Sequence, residues 1–107
     1  MTASFANAAA ALLDRLADRL ETALADVAEV DYEAGILQIE VDGAGTWVVN
    51  RHAPTSQIWM SSPVSGAHHF AHDPAGGPWA DTRGGADLET LLRDELAAAA
   101  GVAPALA

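Results

Sequence analysis

The chain has 107 residues, half of them hydrophobic, with 15 Asp and Glu against 5 Arg and no Lys, for a formal net charge of -10. A surplus of that size repels phosphate backbones and anionic membrane surfaces and favours cationic partners or metal ions, so neither nucleic acid nor membrane is expected as a partner. Cysteine is absent, which excludes disulfides, thiol nucleophiles, thiolate zinc sites and any cluster held by the chain's own thiolates.

A chain of this size buries roughly 65% of its extended surface on folding, so residues 1–107 are expected to form a single domain around one core. Met1 to Phe5 lack the basic region and apolar core of a signal peptide, and no stretch approaches the ~20 apolar residues of a membrane span. The first thirteen residues carry no Arg, unlike a mitochondrial transit peptide. The expectation is a cytoplasmic bacterial protein, or a mitochondrial matrix protein if the chain is a processed eukaryotic form.

Leu12, Leu13, Leu16, Leu20, Leu24 and Val27 recur at spacings of three and four with no Pro or Gly between them, predicting a helix over about 7–27 with one apolar face. The period then changes to two. Val30 and Tyr32 alternate with Glu29, Asp31 and Glu33, and Leu37, Ile39 and Val41 alternate with Gln38 and Glu40, giving two strands around a turn at Ala34-Gly35. Asp42 to Gly45 is the next turn, followed by a strand through Trp47 and Val49 that ends before Pro54. Gln57 to Ser61 and His68 to His72 read as further strands, and Pro74 to Pro78 as a turn before a short strand at Trp79. Leu88, Leu91, Leu92 and Leu96 restore the helical period over about 87–100, with Asp87 at the N-cap and Gly101 and Pro104 closing it. The short tail after Gly101 is expected to be frayed or loosely packed. The fold class is α+β: two terminal helices on one face of a five- to seven-stranded antiparallel sheet, the strands lying between about 28 and 82.

Three groups of residues carry candidate chemistry. If Ile58 and Met60 point to the core, alternation sends Gln57, Trp59 and Ser61 to the opposite face, where a one-sided sheet leaves a tryptophan in water as a binding anchor. The alternative is a sheet covered on both faces, with Trp59 in the core. Asp14, Asp18 and Glu21 stand at i, i+4 and i+7 as one stripe, and Asp26, Glu29, Asp31 and Glu33 bring the count to seven carboxylates in twenty residues. Like charges at i, i+4 cost about 0.2–0.5 kcal/mol per pair, so the stripe invites a cation or a basic partner; otherwise it is a solvated helix face, relieved where Arg15 pairs with Asp18. His68, His69 and His72 lie on a strand, which sets His68 and His72 about 13 Å apart, too far to share an ion. No phosphate loop, nucleophile elbow or His-Glu-x-x-His motif occurs, and no catalytic residue is assigned.

The run Asn50-Arg51-His52-Ala53-Pro54-Thr55-Ser56-Gln57-Ile58-Trp59-Met60-Ser61 resembles the central block of the frataxin family, N-[K/R]-x-x-P-x-x-Q-[I/V]-W-[L/M]-[S/A]. The resemblance extends upstream through Gly35-Ile36-Leu37 and Gly45 to Val49, and downstream through Trp79 and Leu88 to Leu92, covering roughly residues 12–100. It implies a frataxin-like α-β sandwich and an iron-linked accessory protein of iron-sulfur cluster assembly, with cysteine desulfurase and the scaffold protein as partners. By the same resemblance, Asp14, Asp18, Glu21, Asp26, Glu29, Asp31 and Glu33 form an acidic ridge that binds iron, or other divalent cations, weakly and docks on the desulfurase. Asn50, Gln57, Trp59 and His69 form a partner-binding sheet face. Where some members carry Lys-Arg this chain has His68-His69, so a charge contact there would depend on pH. The expected state is a monomer, with metal-induced oligomers as the alternative. Two other functions stay open: a ferroxidase or iron store, which would need carboxylate and His pairs on facing helices, and an acidic adaptor without a metal role.

Overall fold

A computed structural model describes residues 3–72 and 78–106. The order is helix α1 (Ala3–Ala23), strands β1 (Ala28–Glu33), β2 (Ile36–Val41) and β3 (Gly45–His52), a 3₁₀ turn (Ala53–Thr55), strands β4 (Gln57–Ser62), β5 (Gly66–His72) and β6 (Trp79–Asp81), and helix α2 (Leu88–Ala100). The six strands form one antiparallel sheet in sequence order, β1 to β6. Apart from Pro78, the turn expected at Pro74 to Pro78 lies outside the described residues.

Both helices cover the same face of the sheet. Leu12, Leu13, Leu16, Leu20 and Leu24 meet Leu88, Leu92 and Leu96 over the inward residues of the strands, Leu37, Ile39, Val41, Trp47, Val49, Ile58, Met60 and Phe70, all at most 4% exposed. Alternation along β2 from exposed to buried is complete over its six residues, as a half-buried strand requires. Ala34 and Gly35, with φ of 55° and 79°, make the two-residue hairpin with positive φ at both central positions that matches strand twist. At Gly45 (φ 122°) a Cβ would stand 2.7 Å from the Pro63 side chain, so this entry to β3 needs glycine.

Three expectations are corrected. The first helix ends at Ala23 rather than near residue 27: the amides of Val27 and Ala28 both bond to the Leu24 carbonyl, closing a turn without Gly or Pro. Val27 leaves the apolar face and is 39% exposed. The tail is not frayed, because Pro104 and Leu106 are buried and Leu106 joins the core. Arg15 does not pair with Asp18; its guanidinium reaches across to Glu89 on α2 and donates to the Leu106 carbonyl at 3.1 Å. Asp87 stands at the N-cap of α2, yet its side chain makes no capping bond, and only its carbonyl accepts the Leu91 amide.

Glu95 fixes α2 to the sheet. Its carboxylate accepts Trp47 Nε1–H at 2.9 Å, Ser62 Oγ–H at 2.6 Å and Ser65 Oγ–H at 2.5 Å. Since Ser65 spends its proton on Glu95, the 2.8 Å contact to His68 Nε2 requires an N–H there, and Nδ1 faces Asp81 at 3.1 Å. Both ring nitrogens of His68 are thereby engaged, Nε2 on the Ser65 hydroxyl oxygen and Nδ1 on the Asp81 carboxylate. Burial pushes the Glu95 carboxyl up, but the bonds from Ser62, Ser65 and Trp47 and the charge of His68 outweigh it and hold it below its ordinary value. Asp81 is lowered likewise: the Arg83 amide and His68 outweigh its burial.

Groups lowered in the folded state stabilise it above their unfolded pKa, and that contribution is lost as pH falls through the folded value. Glu95→Gln should therefore cost about 1.5–3 kcal/mol at neutral pH. The difference from the parent, followed by urea unfolding, should shrink below about pH 4; a difference constant with pH would show that charge is not the source. Leu106→Ala should cost about 2 kcal/mol in the same assay, whereas a tail without a packing role would leave unfolding unchanged.

Candidate functional site

The residues turned away from the helices form an uncovered sheet face whose order follows from the registers. Asn50 on β3 pairs with Trp59 on β4, Trp59 with His69 on β5, and Asn50 on its other side with Ile36 on β2. One row of side chains thus runs Glu33, Ile36, Asn50, Trp59, His69 across five strands. The 3₁₀ turn, with Pro54 near its start and Ser56 at φ 53° closing it, sets His52 opposite Gln57. Gln57 Oε1 accepts Trp59 Nε1–H at 2.8 Å and the Thr55 hydroxyl at 3.2 Å.

Trp59 is not the fully exposed ring expected from alternation. It is half-buried, with an imidazole on each side: His52 at 3.6 Å between ring centroids and 12° between planes, and His69 at 4.4 Å and 17°. His52 was missed by sequence reasoning. The signal was the three-residue turn, which returns the chain so that His52 lies beside Trp59. His68 and His69 separate to opposite faces: His68 turns under the helices toward Asp81, and His72, on the same side, stacks on Trp79 at 4.5 Å.

All seven carboxylates assigned to the ridge are exposed. They do not share one surface. Asp14, Asp18 and Glu21 lie on α1 in the helix layer, whereas Glu29, Asp31 and Glu33 point to the uncovered face of the edge strand β1. Tyr32 lies between the two sets: burial, then the hydrogen bond and charge of Asp14, push its phenol up from 10.0, against the pull of Arg51. Asp26, in the turn between α1 and β1, lines a shallow groove with Glu29, Glu40 and Asp42. Glu40 and Asp42 were missed, although the Ala34-Gly35 turn already fixes Glu40 opposite Glu29, a like-charge pair that is unfavourable unless screened or bridged.

Among the described residues no three Asp, Glu or His side chains converge to enclose an ion. The hard carboxylate oxygens are suited to hydrated hard cations held with their waters, not to a closed cage. Ser65, His68 and Asp81 have the distances of a nucleophilic triad, but the chemistry is spent. The Ser65 proton goes to Glu95, and the amides of Val64 and Ser65, which could have served an oxyanion, bond to Ser62 Oγ at 3.0 and 3.1 Å.

Comparison with known proteins agrees with this architecture. The model of the frataxin-like domain matches residues 1–102. Mitochondrial frataxin of Dictyostelium discoideum is 39% identical over 84 residues, covering 78% of this chain and 44% of that protein. The iron-sulfur cluster assembly protein CyaY of Cupriavidus metallidurans is 33% identical, covering 86% of each. The chain spans about half the length of the mitochondrial relatives it matches. Among solved structures, frataxin from Psychromonas ingrahamii superposes with a TM-score of 0.85 at 20% identity, over 99% of this chain and 97% of that one. Trimeric yeast frataxin in complex with ferrous iron superposes with a TM-score of 0.78 at 33% identity, over 87% and 85%. The match across nearly the whole chain, with relatives above 30% identity, places this protein in the frataxin family.

Proposed function

We propose that the chain is a non-enzymatic accessory protein of iron-sulfur cluster assembly, which binds iron weakly along its acidic edge and modulates a cysteine desulfurase and its scaffold protein through the uncovered sheet face. The observation that carries this reading is the row of Asn50, Trp59 and His69, with Gln57 beside it, on a face no helix covers. Aromatic rings flanked by hydrogen-bonding groups are the usual anchors of an interface. The naming of the CyaY relative and the ferrous complex of yeast frataxin support the same pathway and the same ion.

A ferroxidase is the weaker reading. The apolar faces of α1 and α2 meet the sheet, and the carboxylates of α1 point to solvent, so the helices do not face each other with the paired ligands that bridge two irons. An adaptor without metal shares the docking face and differs only at the acidic edge. Among the described residues no helix is long and apolar enough to cross a membrane. The relatives suggest the bacterial cytoplasm or the mitochondrial matrix as the setting, and the trimeric yeast structure supports oligomers as an alternative to the monomer.

Trp59→Ala should weaken binding to the host's desulfurase–scaffold complex by about 2 kcal/mol, roughly 30-fold, measured by calorimetry. Its melting temperature should stay close to the parent's, because the ring lies outside the core; a sharp fall in melting with unchanged affinity would make Trp59 structural. Ferrous iron titrated into ¹⁵N-labelled protein should first perturb amides around Asp14, Asp18, Glu21, Glu29, Asp31, Glu33 and Glu40. Perturbation centred on His68 to His72 would refute the acidic edge as the iron surface, and no perturbation at all would favour the adaptor.

A further inference from the structure

The stack of His52, Trp59 and His69 changes what a partner meets on the sheet face. Both faces of the indole are already covered, so no incoming ring or guanidinium can lie on Trp59, and its N–H is committed to Gln57. What stays open is the outer face of each imidazole. Thr55 gives its hydroxyl proton to Gln57, so its contact with His52 Nδ1 at 2.8 Å requires an N–H on that nitrogen. The neutral ring therefore carries its proton on Nδ1, and the next proton is added at Nε2, away from Thr55. His69 has no hydrogen-bond partner among the described residues.

Imidazole is the side chain whose charge changes near neutral pH, and the electrostatic surroundings of this pair leave such a change uncompensated. Among the described residues, the groups of the same face beside the stack are Asn50 on β3, Thr55 in the turn, Gln57 on β4, Ala67 and Ala71 on β5 and Thr82 after β6, none of them ionisable. Arg51 and Asp81 belong to the helix side, Asp81 being held by His68. Arg83 follows Thr82 as an exposed cation. Along the row the first carboxylate is Glu33, three strands from Trp59 or about 14 Å away, beyond the ~8 Å screening length at physiological salt. An imidazolium on the indole is a favourable cation–π contact, so a proton taken up here leaves the stack intact and adds a positive charge to a neutral patch.

We propose that His52 and His69 make docking on this face proton-dependent, each proton taken up beside Trp59 turning the ground there from neutral to cationic, and that the partner surface seated there presents carboxylates. This rests on the docking role proposed above for the same face. The face then carries two charge signs in a fixed order, permanent negative at β1 and β2 and conditional positive at β3 to β5. That pattern fixes the orientation of a partner bearing the complementary pair.

The test measures binding of the host's cysteine desulfurase–scaffold complex to the parent and to the His52→Gln/His69→Gln double variant by calorimetry at constant ionic strength, at about pH 6 and about pH 8. Comparing the two proteins at each pH removes titration of the partner. The loss of affinity caused by the double variant should be roughly fivefold or more greater at the lower pH than at the higher one. An equal loss at both, or a larger loss at the higher pH, overturns the inference while leaving the docking role standing. No binding by the parent at either pH defeats both. In the free protein, the Trp59 indole N–H resonance should move between the same two pH values in the parent and stay still in the double variant; a resonance that stays still in the parent also overturns the proposal.

Discussion

One-sided burial of the sheet is the constraint on which the rest of the molecule depends. The two helices cover only one face, so the phase of alternation along each strand decides at once which residues form the core and which face outward. A slip of one residue between β3 and β4 would bury Gln57 and Trp59 and expose Ile58 and Met60. The 3₁₀ turn with its left-handed Ser56 and the tight hairpin at Ala34-Gly35 hold that phase, and thereby hold the order of the outward row. The face proposed for docking is the other side of the core pattern rather than a separate device.

Charge is distributed with the same asymmetry. Glu95 and Asp81 are engaged with Trp47, Ser62, Ser65 and His68, and these carboxylates fasten α2 and β6 to the sheet. Those on α1 and β1 are exposed, and with five Arg for fifteen acids few can be paired; Arg15 is already used on Glu89 and the tail. Unpaired like charge at the surface disfavours the compact state. Its persistence at one edge fits a surface kept for binding at some cost in stability.

Much of the fold was legible because the hydrophobic period changes sharply, from three-to-four in α1 to two in β1 and back again in α2. The six strands and the outward direction of Trp59 followed from that change, and the candidate site rested on Trp59, Gln57 and the α1 acids. What escaped was decided between elements. Neither Arg15 choosing Glu89 over Asp18 nor Leu106 returning to the core has a local signature, since each needs the position of α2 against α1. The helix end at Ala23 carried no Gly or Pro, and the chain turns there because Ala28 must enter the sheet. His52 and Glu40 were recoverable from hairpin registers, which convert a turn length into a neighbour across the strand. The division of the acids between two faces was also implicit in the alternation of β1, which sets Glu29, Asp31 and Glu33 opposite Tyr32.

β1 is an edge strand, and an edge presents a row of backbone groups to which the strand of a second molecule can add. Here that row is bordered by Glu29, Asp31 and Glu33 on one side of the sheet and overlooked by the carboxylates of α1 on the other. Two copies approaching edge to edge bring these charges together before a hydrogen bond can form. The acidic border is thus a guard against sheet extension between copies, and its strength depends on what screens it. A cation that neutralises this border would also lower the guard, so the proposed iron binding and self-association would be coupled through the same few carboxylates.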